Sequence, residues 1–100
     1  MIIITGTFEI DPEDRELAYR ALTAMADAAG SDPGCLTYGF WADLTNPHRF
    51  RAYEEWESRE AIAAHMTTAH AASFSAALAT LRFRSSDVWR YEASKVSKVG

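Results

Sequence analysis

The order of strand-like and helix-like patterns restricts the fold of this chain more than any other feature of its sequence. Two stretches have helical periodicity, and four short runs rich in β-branched and aromatic residues surround them in the order β-α-β-β-α-β. This order predicts an α+β, ferredoxin-like fold, in which both helices cover one face of an antiparallel four-stranded sheet. The expected strands are residues 2–10, 35–44, 49–56 and 85–94, and the expected helices are residues 11–30 and a second one that starts at 59.

The first helix has clear end signals. Asp11 is placed to cap its N-terminus, Pro12 suits the first helical position, and Gly30 ends it. Its expected buried stripe consists of Leu17, Ala21, Met25 and Ala28, with Leu22 alongside.

The second helix carries a signal for interruption. Ser58 can cap the run R-E-A-I-A-A-H, and Thr67 and Thr68 then break the pattern. Either threonine hydroxyl can cap a further helical piece. That piece carries Phe74, Leu78 and Leu81 at helical spacing.

The strands present large side chains to both faces of the expected sheet. In the second strand, one face is expected to carry Leu36, Tyr38 and Phe40, and the other Cys35, Thr37 and Trp41. In the third strand, one face is expected to carry Phe50, Ala52, Glu54 and Trp56, and the other Arg51, Tyr53 and Glu55. Two helices cover one face only, so the other face would expose a large apolar patch. A second copy packed sheet against sheet removes that patch, and the sequence therefore predicts a homodimer.

Composition restricts the class of protein. A chain of 100 residues is expected to form one domain, here residues 1–95, followed by a polar tail at residues 96–100. Ten Lys and Arg against 14 Asp and Glu give a formal charge of −4, which does not favour nucleic-acid binding. No apolar run is long enough to span a membrane, and no signal peptide is evident, so a cytoplasmic location is expected.

His65 is the best candidate for chemistry. It follows the apolar turn Ile62–Ala64, so it is expected to face inward. Neutral imidazole is the side chain best suited to accept a proton near neutral pH. The inward aromatic residues expected around it are Tyr38, Phe40, Trp56 and Phe74. A base in an aromatic pocket suits a flat, acidic aromatic substrate such as a phenol, although a histidine of this kind can also be a core residue.

Metal and nucleophilic chemistry are less well supported. His65 and His70 are five residues apart, whereas helical metal pairs use a spacing of three or four. No third ligand is spaced to help, so the sequence predicts no metal site. Cys35, the single cysteine, is expected to be a small buried hydrophobic residue.

Several short motifs resemble the antibiotic biosynthesis monooxygenase superfamily. They are the P-G-C turn at residues 33–35, Y-E-E-W at 53–56, W-E-S-x-E-A at 56–61, and H-x-x-x-x-H-x-x-x-F at 65–74. The resemblance implies a dimeric α+β barrel made of two facing sheets, with a pocket between sheet and helices in each subunit. It also implies O₂ chemistry on phenolic or hydroquinone rings, without metal, flavin or haem.

The resemblance and the residues together predict a monooxygenase that needs no cofactor and uses O₂ as co-substrate to form a quinone. His65 is the expected base, and Tyr38, Phe40, Trp56 and Phe74 the expected pocket residues. Arg51 and Tyr53 are second choices for stabilising a developing oxyanion, and His70 is a further candidate for substrate contact.

Three alternatives stay open. The fold also resembles that of haem-degrading relatives, which carry an Asn late in the first strand and an iron-binding histidine further along the second helix. This chain has Thr7 in the strand and Ser75 near the ligand position, although His70 lies halfway between His65 and that position. The others are a protein that binds an aromatic metabolite without reaction, and an isomerase or cyclase that uses the same base without O₂.

Overall fold

The structure is a computed structural model that describes residues 1–100. Its elements are β1 (Ile2–Ile10), α1 (Arg15–Ala29), β2 (Cys35–Ala42), β3 (Arg49–Trp56), α2 (Arg59–His65), α3 (Ala69–Leu78) and β4 (Phe83–Glu92). The four strands form one antiparallel sheet in the order β2-β3-β1-β4. The predicted α+β, ferredoxin-like fold is confirmed, with the predicted second helix present as two.

The break between α2 and α3 lies at the threonines, as the sequence predicts. The Thr68 hydroxyl donates a hydrogen bond to the His65 carbonyl oxygen at 2.7 Å and accepts one from the backbone N–H of Ala71 at 3.2 Å. One side chain therefore ends α2 and caps α3. Ser58 caps α2 in the same way, through the N–H of Ala61.

The buried stripe of α1 differs from the prediction. The buried residues of this helix are Ala18, Leu22, Met25 and Ala29. Leu17, predicted to be buried, is 52% exposed. Alanines lie on several faces of α1, so apolar periodicity alone does not determine which face is turned to the sheet. A 3₁₀ turn at Pro12–Asp14, capped by Asp11, precedes the helix.

The second strand also differs from the prediction at its start. The pairing of β2 with β3 shifts register between Cys35 and Thr37, so the strict alternation of faces fails there. Cys35 packs in a cluster with Ile2, Trp56 and Ile62, and Leu36 is exposed instead of sharing the face of Tyr38. In β3 the predicted alternation is confirmed, since Phe50, Ala52 and Trp56 are buried.

The core lies between the sheet and the helices. Its largest cluster consists of Phe8, Ile10, Ala18, Leu22, Phe50, Ala52 and Leu81. A smaller cluster of Met25, Ala29 and Ala71 joins α1 to α3. The three helices thus cover one face of the sheet and enclose space next to β2 and β3. None of them is both long and apolar enough to cross a bilayer.

The outer face of the sheet, opposite the helices, is rich in exposed aromatic side chains. Strand register places Trp41 beside Arg51, and Trp89 in one row with Thr5 and Tyr53. Trp41 and Trp89 are 54% and 60% exposed. The Trp41 indole lies against Gly39, where an added Cβ would meet the ring at 2.6 Å.

Candidate functional site

A cavity of about 260 Å³ lies between the sheet and the helices. Most of its wall is apolar, including Met25 from α1 and Phe74 from α3. The polar residues of its lining are Tyr38, Glu54, His65 and Ser75. An apolar cavity with a few converging polar groups is typical of a small-molecule site.

His65 lies at the C-terminus of α2, where its side chain is 4% exposed and lines the cavity. The Trp56 and Tyr38 rings lie with their centroids 4.8 and 5.8 Å from the imidazole centroid. Trp56 is fully buried and packs directly against the imidazole. These contacts fix the orientation of the ring.

Asp32 joins His65 to His70. One carboxylate oxygen, Asp32 Oδ2, lies 2.6 Å from His65 Nδ1 and 2.7 Å from His70 Nε2. We call these three side chains the Asp–His–His cluster. The break at Thr68 brings the two imidazole centroids to 5.7 Å, which a continuous helix would not do at a spacing of five residues.

The turn between α1 and β2 positions Asp32. Its backbone N–H donates to the Ala29 carbonyl at 3.0 Å, and its own carbonyl accepts from the Cys35 N–H at 3.0 Å. Gly34 closes the turn at a φ of 81°, where an added Cβ would also meet the Ala61 Cβ at 2.5 Å. Gly34 thus lets the turn pack against α2, which carries His65.

The charge on Asp32 is stabilised by its partners. Burial raises the pKa of this carboxyl, but the hydrogen bonds from His65 and His70 outweigh burial, and the net pKa lies below its usual range. Asp32 is therefore a carboxylate near neutral pH and accepts from His65 Nδ1–H. In the neutral ring the lone pair then lies on Nε2, because the hydrogen bond of this imidazole to Asp32 is made at Nδ1.

Two further titratable groups line the same cavity. Glu54 accepts a hydrogen bond from Trp56 Nε1 at 2.8 Å, and burial raises the pKa of its carboxyl. Burial likewise raises the pKa of the Tyr38 hydroxyl, which therefore stays protonated. Tyr38 can donate a hydrogen bond to a ligand in the cavity, while Glu54 adds a carboxyl group close to His65.

The structure brings only some of the residues suggested by the sequence to this cavity. His65, Tyr38 and Phe74 line it, whereas Trp56 lies behind the imidazole. Phe40 packs against Phe74, with centroids 5.9 Å apart, and belongs to the core beyond the cavity.

Three of the suggested residues lie elsewhere. Arg51 and Tyr53 occupy the outer face of β3 because side chains alternate along a strand, so neither can contact a ligand in this cavity. Arg51 donates to the Thr5 hydroxyl at 3.4 Å, and Tyr53 donates to Glu55. His70 lines a separate groove between α1 and α3, and it is connected to the cavity only through Asp32 and His65.

Sequence reasoning missed Asp32 and Glu54. Asp32 lies 33 residues before His65 in a turn, where no spacing rule connects the two. Its presence overturns the expectation that no third ligand lies near the histidines, since the three ligand atoms lie within 4.8 Å of one another. Glu54 does have a signal, because it sits on the inner face of β3 between the buried residues Ala52 and Trp56.

Comparison with known proteins gives a consistent family and fold. The sequence model of the family "Antibiotic biosynthesis monooxygenase" matches residues 1–77. A Deinococcus radiodurans structure, provisionally described as an antibiotic biosynthesis monooxygenase, is 26% identical with a TM-score of 0.87, over 99% of this chain and 98% of that one. A Mycobacterium tuberculosis structure has a TM-score of 0.86 at 20% identity, over 97% and 98% of the two chains, and shows the fold alone.

One curated relative is similar in sequence. It is an uncharacterized protein of Synechocystis, 28% identical over 67 residues, which are 67% of this chain. The match spans 46% of that relative's own length, so about half of the relative lies outside the region that is similar to this chain.

Proposed function

The chain belongs to the antibiotic biosynthesis monooxygenase family, and from that membership we propose a specific activity for it. It is a cofactor-independent monooxygenase that oxidises a phenolic, hydroquinone or anthrone-type ring to a quinone with O₂. The observation that carries this proposal is the bond of 2.6 Å between Asp32 and His65 Nδ1, at the wall of an apolar cavity. That bond leaves Nε2 as the proton acceptor.

The reaction balances without an added reductant. His65 Nε2 takes the phenolic proton, and the resulting anion passes one electron to O₂. The two radicals combine into a carbon–oxygen bond, and the peroxide takes the proton back from His65. The ring C–H proton and a hydroxide ion then leave as water, which leaves a carbonyl group. One substrate and one O₂ thus give one quinone and one water.

The other cavity residues have distinct roles in this proposal. The Asp32 carboxylate holds the His65 tautomer and stabilises the imidazolium ion that forms. The Tyr38 hydroxyl donates to the developing phenolate oxygen, a role that Arg51 and Tyr53 cannot take from the outer face. Phe74 and the apolar wall exclude water from the anion.

The haem-degrading alternative has less support from this geometry. Ser75 lines the cavity near the position where such relatives carry their iron ligand, and Thr7 lies on the outer face. His70 lines the groove between α1 and α3 and does not line the cavity. Adding haemin and finding no shift of its Soret band would exclude this alternative.

The proposal is tested by O₂ uptake of the purified protein with hydroquinones, naphthalenols and anthrones, each corrected for autoxidation. We expect uptake with at least one compound and its loss in His65→Gln. The matched control is His48→Gln, since His48 is the third histidine and lies in the turn before β3, away from the cavity.

Other results would lead to different functions. Equal uptake by the wild type and His65→Gln would remove His65 from the mechanism. Tight binding of a panel compound without turnover would indicate a binding protein. Conversion of a compound at the same rate under argon would indicate an isomerase or cyclase.

A further inference from the structure

The Asp–His–His cluster contains more ligating groups than a single base requires. We propose that Asp32, His65 and His70 bind one divalent transition-metal ion, of which Zn²⁺ is the representative. His65 Nδ1, His70 Nε2 and an Asp32 carboxylate oxygen lie within 4.8 Å of one another. Two imidazoles and one carboxylate, with a further position for solvent, form a common ligand set for zinc.

The geometry of the cluster is close to what such an ion needs. With bonds of about 2.1 Å in a tetrahedral arrangement, ligand atoms lie about 3.4 Å apart. The two N···O distances of 2.6 and 2.7 Å must therefore each lengthen by less than about 1 Å. His70 can supply part of this movement because its side chain is 29% exposed, whereas His65 is held by its packing.

An ion has a route to the cluster from outside the cavity. His70 lines the open groove between α1 and α3, together with Ser73 and Phe74. The Asp32 side chain is 10% exposed and carries the charge that attracts a cation. The ion can thus reach the cluster while the cavity on the other side of His65 holds a substrate.

Metal binding and base catalysis would exclude each other at His65. In the free protein Asp32 accepts from Nδ1–H, and Nε2 is the proton acceptor. A metal ion on Nδ1 moves the single proton of the neutral imidazole to Nε2, which then cannot accept another. This consequence rests on the proposed function, whereas the metal site itself does not.

The metal site is tested without any substrate. The full chain, stripped with a chelator, is titrated with Zn²⁺ by calorimetry and with Co²⁺ by visible absorption. We expect one ion per chain, and a loss of affinity in Asp32→Asn and in His70→Gln that exceeds the roughly 10–100-fold typical of mutating a group that only supports a ligand. His48→Gln and Cys35→Ser are the controls, because these side chains lie outside the cluster and should keep the wild-type affinity.

Two results would overturn the metal site. Folded Asp32→Asn and His70→Gln variants that bind as tightly as the wild type would show binding elsewhere on the surface. Loss of binding in Cys35→Ser would show that the thiol holds the ion. The thermal unfolding midpoint of each variant identifies those that are folded, and His70→Gln is the safer test because His70 is partly exposed.

The coupling to catalysis is measured separately, as the ratio of O₂ uptake with and without one equivalent of Zn²⁺ within each variant. We expect Zn²⁺ to abolish most uptake in the wild type and to leave the ratio near one in His70→Gln. A wild type that binds Zn²⁺ and keeps its full rate would overturn the coupling but not the site. Absence of uptake with every compound would count against the proposed function and leave the titration result unaffected.

Discussion

At the scale of single residues, one carboxylate oxygen determines which nitrogen of His65 can accept a proton. Asp32→Asn removes the charge that stabilises the imidazolium and no longer selects the Nδ1–H tautomer. We expect kcat for O₂ uptake to fall by about 10²–10⁴, with a small change in KM, because substrate contacts the cavity and not Asp32. A variant that changes KM alone would show that Asp32 affects binding and not proton transfer.

The environment of Glu54 leads to a second prediction, which concerns how the stability of the fold depends on pH. Burial raises the pKa of its carboxyl, so the folded state disfavours the charged form. The stabilising effect of the neutral form is fully present below the pKa of the unfolded chain, about 4.3, and is lost as pH rises through the higher folded value. Glu54→Gln keeps an oxygen acceptor for Trp56 Nε1 but cannot ionise.

We therefore expect Glu54→Gln and wild type to have similar unfolding midpoints at pH 4, and the variant to have the higher midpoint at pH 8. Thermal unfolding followed by circular dichroism at several pH values measures this difference. A constant offset between the two proteins at all pH values would mean that ionisation of Glu54 is not the cause.

At the scale of elements, Thr68 connects the helix break to the site. Its hydroxyl bonds both the end of α2 and the start of α3. Thr68→Val keeps the shape and loses both bonds, so we expect a decrease of about 1–2 kcal/mol in the free energy of unfolding. Urea denaturation measures it, and Thr67→Val is the matched control, since the Thr67 hydroxyl only donates to the Ala64 carbonyl and caps no helix. A similar decrease in both variants would contradict a capping role for Thr68.

The elements also show where sequence reasoning works and where it stops. The Thr68 break and the bounds of β1, β3 and α2 follow from local signals, because capping and alternation act within a few residues. The face of α1 and the register shift in β2 depend on what packs against them, and the predictions for Leu17 and Leu36 were wrong. Asp32 had no signal because its link to His65 exists only after the chain folds.

At the scale of the whole molecule, the chain leaves much apolar surface without cover. Only 17 of its 100 residues are buried, and every residue of β4 is exposed. The outer face of the sheet carries Trp41, Trp89 and Tyr91, each at least half exposed. Exposed aromatic side chains concentrated on one face of a small protein are typical of an interface. The homodimer expected from the sequence, with the two outer faces in contact, remains our proposal for how this surface is covered.

The proposed dimer is tested by measuring the mass of the protein in solution. We expect light scattering after size exclusion to give twice the 11.1 kDa of one chain, and Trp89→Glu to give the monomer mass, because a charge buried in the contact between two sheet faces is unfavourable. Tyr19→Glu is the matched control, since Tyr19 is 55% exposed on α1, away from the outer face. A wild type that runs as a monomer at all concentrations, or a Trp89→Glu variant that stays dimeric and folded, would contradict an interface at this face.

If the variant is monomeric and keeps its far-UV circular dichroism, each chain folds on its own. The aromatic outer face then serves association and not the core, since Trp89 and Trp41 have no packing partner among the helices of their own chain.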